Sequence, residues 1–213
     1  MRSVSLVLAL LGAACGDEAP AGPTLAQGMP RPRAGADRLG LVFDARWIER
    51  WLDEPILLAG GGAAPATLVR FWTDTCPYCD ASLSALERLR EEFAAQGLVT
   101  LGIYHPKPPR EVPDATIRAA ARERGYAGPL AADPEWRALT HVWLASGEQP
   151  SATSASFLLD RAGRVRFVHP GPLFHPPEEE HHLPLPASEA GEDFEDLRRA
   201  IRALLDEARA EGG

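Results

Sequence analysis

The residues best placed to do chemistry are Cys76 and Cys79, in F-W-T-D-T-C-P-Y-C-D over residues 71–80. Two thiols at this spacing can cycle between dithiol and disulfide, supply half of a metal site, or serve structure alone. A bridge closing so small a loop restricts the unfolded chain little. The chain has one other cysteine, Cys15, so there is no disulfide framework to join. Chemistry is the better reason for the pair. If Pro77 opens a helix, Cys76 stands at its N-terminus, where unpaired N–H groups and the helix dipole favour a thiolate. That lowers the thiol pKa and raises the fraction able to attack. Pro77 suits the first turn, where its missing N–H is not needed. Cys79, one turn on, can reach back to a sulfur held on Cys76 and release it.

The surrounding pattern places the pair at a strand-to-helix junction. Thr67–Trp72 is rich in β-formers and reads as a central strand. From Pro77 to about Ala95 the apolar residues Leu83, Leu86, Leu89 and Phe93 recur at helical spacing, and Gly97 ends the run. Leu98–Tyr104 reads as a second strand, and Pro106, Pro108 and Pro109 stiffen the loop after it. Upstream, Leu41–Phe43 reads as a short strand, with Asp44 capping a helix to about Leu52. Asp114–Arg124 and Pro134–Leu144 read as helices, Ser156–Leu159 and Arg164–His169 as a hairpin, and Glu192–Glu211 as a closing helix. Strand, helix, strand, helix, hairpin and final helix make an α/β domain. Open α/β sheets place reactive groups beyond the carboxyl ends of their strands.

The run L-V-R-F-W-T-D-T-C-P-Y-C resembles the active-site segment of thioredoxin-fold proteins, and within that fold the exported TlpA/ResA-like thiol-disulfide oxidoreductases (redoxin domain). S-F-L-L-D-R-A-G-R-V-R-F-V-H-P-G resembles their C-terminal hairpin, so the likeness spans roughly residues 55–170. It implies a thioredoxin-like fold, a central mixed sheet flanked by helices. Cys76 is then the nucleophile and Cys79 the resolving thiol, with no cofactor beyond their disulfide. Trp72, Thr75, Pro77, Tyr78, Thr153 and Ser154 flank the site, Trp72 and Tyr78 offering apolar surface to an extended substrate segment. The chain departs from the family pattern twice. The family's cis-proline, three residues before the Phe of the hairpin strand, falls on Ser154, with Pro150 the nearest proline. A cis bond before Ser154 would cost about 3 kcal/mol, so a trans bond is expected there. The buried acid that cytosolic thioredoxins carry before Phe-Trp is Arg70 here, which leaves Asp74, Asp80 and Glu148 as candidate proton carriers.

Residues 1–15 combine Arg2, an apolar run over Val4–Leu11, and small residues before Cys15. This is the order of a secretory signal peptide, and the run is too short to span a bilayer. L-L-G-A-A-C also resembles the lipobox of bacterial lipoproteins, although Gly12 replaces the usual large apolar residue. Cys15 is then the lipidation site of an exported protein, periplasmic or at the cell surface, held to a membrane without a spanning helix. Residues 16–37, rich in Pro, Gly and Ala, read as a flexible tether to a folded domain over 38–211.

The formal net charge of −8 argues against a nucleic-acid binder. The expected partners are dithiol or disulfide proteins and an upstream membrane electron donor or acceptor, acting on a monomer. Two rival functions compete. Four of the six histidines come late (His169, His175, His181 and His182), the last three around a Pro- and Glu-rich stretch. Imidazole and thiolate together suit zinc or a softer metal, so a metallochaperone using Cys76, Cys79, His169, His175 and His181 is one alternative. The composition of 170–191 is equally that of an irregular solvated loop. Peroxiredoxins share the fold and usually carry Thr three residues before the reactive cysteine, the position of Thr73. The Phe-Trp and C-x-x-C context favours exchange. His105 is placed to line the rim of the site.

Overall fold

The computed structural model describes residues 25–147, 152–179 and 187–212. Cys15, Glu148, Pro150, His181 and His182 lie outside them.

Strands β1 (Arg50–Trp51), β2 (Ala66–Trp72), β3 (Leu98–Tyr104), β4 (Leu130–Ala132), β5 (Ser156–Asp160) and β6 (Val165–His169) form one sheet in the order β1-β4-β3-β2-β5-β6. The β2–β3 and β3–β4 pairs are parallel, and the β1–β4, β2–β5 and β5–β6 pairs antiparallel. This is the mixed sheet expected. Central β2 is buried along its whole length, so apolar residues occupy both its faces, with Thr67 and Arg70 the exceptions.

Helix α1 (Pro77–Phe93) follows β2, α2 (Asp114–Glu123) follows β3, and α4 (Ala187–Gly212) closes the chain. One face of the sheet, with Leu68, Trp72, Tyr104, Leu158 and Phe167, packs on Leu83, Leu86 and Leu89 of α1 and Leu197 and Ile201 of α4. The other, with Val69, Phe71, Ile103, Phe157 and Val168, packs on Ile48, Leu139, Val142 and Trp143. Each fully buried Leu, Phe or Val contributes about 1.5–3 kcal/mol, which holds the β2–α1 junction rigid. Gly97 stops the α1 segment with φ 102°, as its position after the apolar run foretold.

Four sequence expectations need correction. Leu41–Phe43 makes only an isolated bridge, Val42 to Arg164, in place of a strand. Asp44 does cap, accepting from the Arg46 N–H at 2.9 Å, but a single 3-10 turn over Ala45–Trp47 follows and the chain then enters β1. The stretch Pro134–Leu144 is interrupted. The buried Asp133 carboxylate accepts from the N–H groups of Ala138 and Leu139, and Trp136 takes a left-handed φ of 62°. Only Arg137–Leu139 is α-helical (α3), continuing as a wider turn over Thr140–Leu144. Residues 25–37, part of the expected tether, lie against the domain. Ala26 and Met29 are buried with the residues of α1 and α4, and Gly35 abuts Trp143. Two apolar anchors in a Pro-Gly-rich stretch are a weak signal in sequence. Strand β4 (Leu-Ala-Ala) escaped notice because alanine has little strand preference and three residues show no alternation.

Candidate active site

Cys76 is the N-cap residue of α1 in extended conformation, and Pro77 occupies the first helical turn. The Cys79 N–H donates to the Cys76 carbonyl at 3.0 Å, which brings the second sulfur back over the helix start. Both thiols are unbridged; Cys76 is half-buried and Cys79 fully buried. The Cys79 thiol donates to Cys76 and, with the N–H groups of Tyr78 and Cys79 and the charge of Arg70, outweighs burial and brings the Cys76 pKa down to about 6. Cys79 moves the opposite way, well above the usual thiol value. Its proton is held by the Cys76 sulfur and burial penalises its charge, with Arg70 and Ser154 opposing. One thiol is thus poised to attack and the other held in reserve.

Alkylation reads this asymmetry directly. The rate of Cys76 modification by iodoacetamide is expected to rise with a midpoint near pH 6 and be flat above it, because only the thiolate reacts. Cys79 should stay unmodified in the folded protein. A midpoint near the ordinary thiol value, about 8.5, would contradict the arrangement.

The flanking residues divide. Thr75 and Pro77 are exposed and Tyr78 half-buried beside Cys76. Trp72, expected to offer surface to a substrate, has no exposure and packs edge-on against Tyr104 at 5.0 Å. It is a core residue. Ser154 is buried with its hydroxyl 3.4 Å from the Cys79 sulfur, and the bond before it is trans, as expected. Thr153 is hydrogen-bonded to His105 Nε2 at 2.9 Å. His105 is fully buried, so it anchors the Ser154 loop from behind and does not line a rim. Burial first, then Lys107 and Arg70, push its pKa down to about 3 and keep the ring neutral.

Of the expected proton carriers, Asp74 faces Arg110 at 3.6 Å, and Asp80 lies exposed in an ion pair with Arg124 at 2.6 Å. Neither acts on Cys79, whose partners are Cys76, Arg70 and Ser154. The histidines are dispersed. His169 is buried on β6 against Asp193 at 3.2 Å, and His175 is buried with Nδ1 2.7 Å from the Pro176 carbonyl. Among the described residues no three His, Cys, Asp or Glu side chains gather as a metal-binding set. Sequence reasoning missed Gly171, Pro172, Ser82 and Phe174. The Pro172 carbonyl accepts from both Arg70 and Ser82, and Phe174 lies under the Arg70 guanidinium at 5.1 Å. The H-P-G-P run at 169–172 was the available signal, a turn immediately after a strand.

The AhpC/TSA family model matches residues 60–168, just over half of the chain. The chain belongs to the AhpC/TSA family. The matched span of this family member runs from before β2 almost to the end of β6; it contains the cysteine pair, α1, α2 and most of the thioredoxin-like sheet, and leaves out β1 and α4. Two solved structures agree on the fold. A candidate protein disulfide isomerase from Bacteroides thetaiotaomicron matches with a TM-score of 0.54 and 17% identity, over 82% of this chain and 94% of that one. A conserved protein from Geobacillus kaustophilus matches with a TM-score of 0.51 and 17% identity, over 79% and 82%. A candidate thiol:disulfide interchange protein DsbE from Chlorobium tepidum has a TM-score of 0.47 and 18% identity, over 67% and 81%. No curated protein matches the sequence.

Proposed function

We propose that this AhpC/TSA family member is a thiol-disulfide oxidoreductase that exchanges disulfides with protein substrates outside the cytoplasm. The observation that carries the reading is the opposed pair: Cys76 at a helix N-terminus with its pKa lowered, and Cys79 one turn on, buried and protonated. The Cys76 thiolate attacks a substrate disulfide, one substrate sulfur leaves as thiolate, and a mixed disulfide forms. Cys79 then attacks the Cys76 sulfur, the second substrate sulfur leaves, and the Cys76–Cys79 disulfide remains. Two electrons pass to the substrate, and a partner dithiol protein restores the pair. Export rests on residues 1–15, read as a signal peptide, with Cys15 as the lipid-bearing residue. No helix among the described residues is long and apolar enough to cross a membrane.

The second reading, a thiol peroxidase, rests on Thr73. In the structure the Thr73 hydroxyl is turned to Asp74 and Thr75, at 3.3 and 3.4 Å. Peroxide consumption that survives loss of Cys79 would favour it.

The deciding experiment is equilibration of the pair in thiol buffers under metal-free conditions. A potential near about −270 mV marks a reductase fed by an electron donor, and one near about −120 mV an oxidant of substrate thiols. Failure of Cys76 and Cys79 to form a disulfide at any poise refutes the exchange reading.

A further inference from the structure

We propose that Arg70 is a positioning residue for the second half of the exchange cycle: its buried charge holds Cys79 as a thiolate once Cys76 is engaged with substrate, where a proton-accepting acid was expected. The inference rests on the exchange reading and specifies how its resolving step runs.

The period of β2 puts Leu68, Arg70 and Trp72 on the face that α1 covers. Arg70 has no exposure. Nη1 donates to the Ser154 carbonyl at 2.8 Å and to the Ser156 hydroxyl at 3.1 Å, and Nη2 donates to the Pro172 carbonyl. The Phe174 ring lies against the guanidinium. All of these partners are neutral. Nε is buried with no hydrogen-bond partner, and among the described residues no carboxylate is paired with Arg70. A buried cation without a counter-ion is costly. The groups that can face it with a negative charge are Cys79 and Cys76, whichever of the two is ionised. Ser154 ties the two together, its carbonyl holding Arg70 and its hydroxyl meeting the Cys79 sulfur. The other titratable groups close to the guanidinium, His105 and His169, are both pushed toward the neutral form by burial and by Arg70 itself.

The consequence depends on the state of Cys76. In the dithiol, Cys76 carries the negative charge and Cys79 keeps its proton. In the mixed disulfide the Cys76 sulfur is uncharged, so the largest influence holding the proton on Cys79 is gone, and burial alone is left to oppose Arg70 and the Ser154 hydroxyl. Cys79 releases its proton to water, and its thiolate becomes the only anion facing Arg70. It attacks the Cys76 sulfur, the Cys76–substrate S–S bond breaks as the Cys76–Cys79 bond forms, and the electron pair leaves on the substrate sulfur, which takes up a proton from water. No general base is required. Resolution is switched on by substrate capture.

The test is stopped-flow mixing of the reduced full chain, in a Cys15→Ser background, with 5,5′-dithiobis(2-nitrobenzoate). The first release of nitrothiobenzoate reports attack by Cys76, and the second reports resolution by Cys79. In the parent protein the second phase should reach half its maximal rate at a pH below the ordinary thiol value of about 8.5. Arg70→Met should move that profile up by about one to three units, slowing the second phase at neutral pH by roughly tenfold or more. Arg70→Lys, which keeps a charge, should restore most of it. Superimposable second-phase profiles for Arg70→Met and parent overturn the inference and leave the exchange reading intact. A parent midpoint at or above the ordinary thiol value overturns it without any variant, so the test survives poor folding of Arg70→Met. Absence of a second phase in the parent overturns both readings together.

Discussion

Cys76→Ser is expected to lose disulfide exchange almost completely, by about three orders of magnitude or more, while Cys79→Ser retains the first step and accumulates mixed disulfides. The asymmetry follows from the site. Cys76 is the reachable sulfur, and every influence that lowers its pKa (the Cys79 thiol, the Tyr78 and Cys79 N–H groups, Arg70) converges on that one atom. A serine hydroxyl there has no comparable fraction of anion at neutral pH, and losses of this size are typical when a nucleophile is removed. Cys79 is buried beneath it, so a substrate cannot reach it first. Without Cys79 a captured substrate has no internal thiol to release it. Non-reducing electrophoresis of Cys79→Ser incubated with oxidised protein substrates should show adducts that dithiothreitol dissolves and that Cys76→Ser/Cys79→Ser never forms. Replacing Cys79 by alanine, which cannot donate, removes the hydrogen bond that most lowers the Cys76 pKa, so the alkylation midpoint of Cys79→Ala should rise. Full exchange activity in Cys76→Ser would sink the mechanism.

Gly171→Ala is expected to cost more than about 3 kcal/mol of stability and to disturb the thiols at the same time. Gly171 has φ 68°, a conformation that side chains other than glycine adopt at a penalty, and a Cβ there would overlap the Ser154 carbonyl and stand 3.4 Å from Arg70 Nη1. The obstacle is backbone, which has little room to give, because Ser154 is fixed by Arg70 through its carbonyl and by the neighbouring Thr153–His105 hydrogen bond. Gly28→Ala is the control. Gly28 has φ 82° with nothing within 4 Å of the added atom, so it reports conformational strain alone, about 1–2 kcal/mol. Urea unfolding with unchanged m-values separates the two. Equal losses in both variants would show that residues 171 and 154 do not approach as closely as the structure has them. A displaced Ser154 also leaves Cys79, so the alkylation profile of Gly171→Ala should differ from the parent, whereas that of Gly28→Ala should not.

The sequence alone singled out the cysteine pair and the elements that hold it. A β-rich run, a proline and an amphipathic helix of 17 residues stand contiguous around Cys76, and local patterns of that kind survive folding because burial of their apolar faces reinforces them. The same was true of β2, β3, the β5–β6 hairpin and α4, each long enough to show its composition or its period. What failed was short or non-local. Residues 134–144 have helical spacing, but the carboxylate of Asp133 and the left-handed Trp136 divide them. Ala26 and Met29 look like linker until the surface they bury is in place. Trp72 passed for a substrate platform because sequence cannot tell a side chain at a strand end that reaches solvent from one covered by Tyr104.

The electrostatics of the pair belong to the tertiary structure. Arg70 is visible in the sequence as a cation where an acid was expected, but its meaning comes from neighbours 84 and 102 positions away, Ser154 and Pro172, which hold it under Cys79. Spacing along a chain specifies which residues share a helix turn or a strand face. It carries no information on which loops close over them, and in a low-dielectric interior that closure decides which thiol bears the charge.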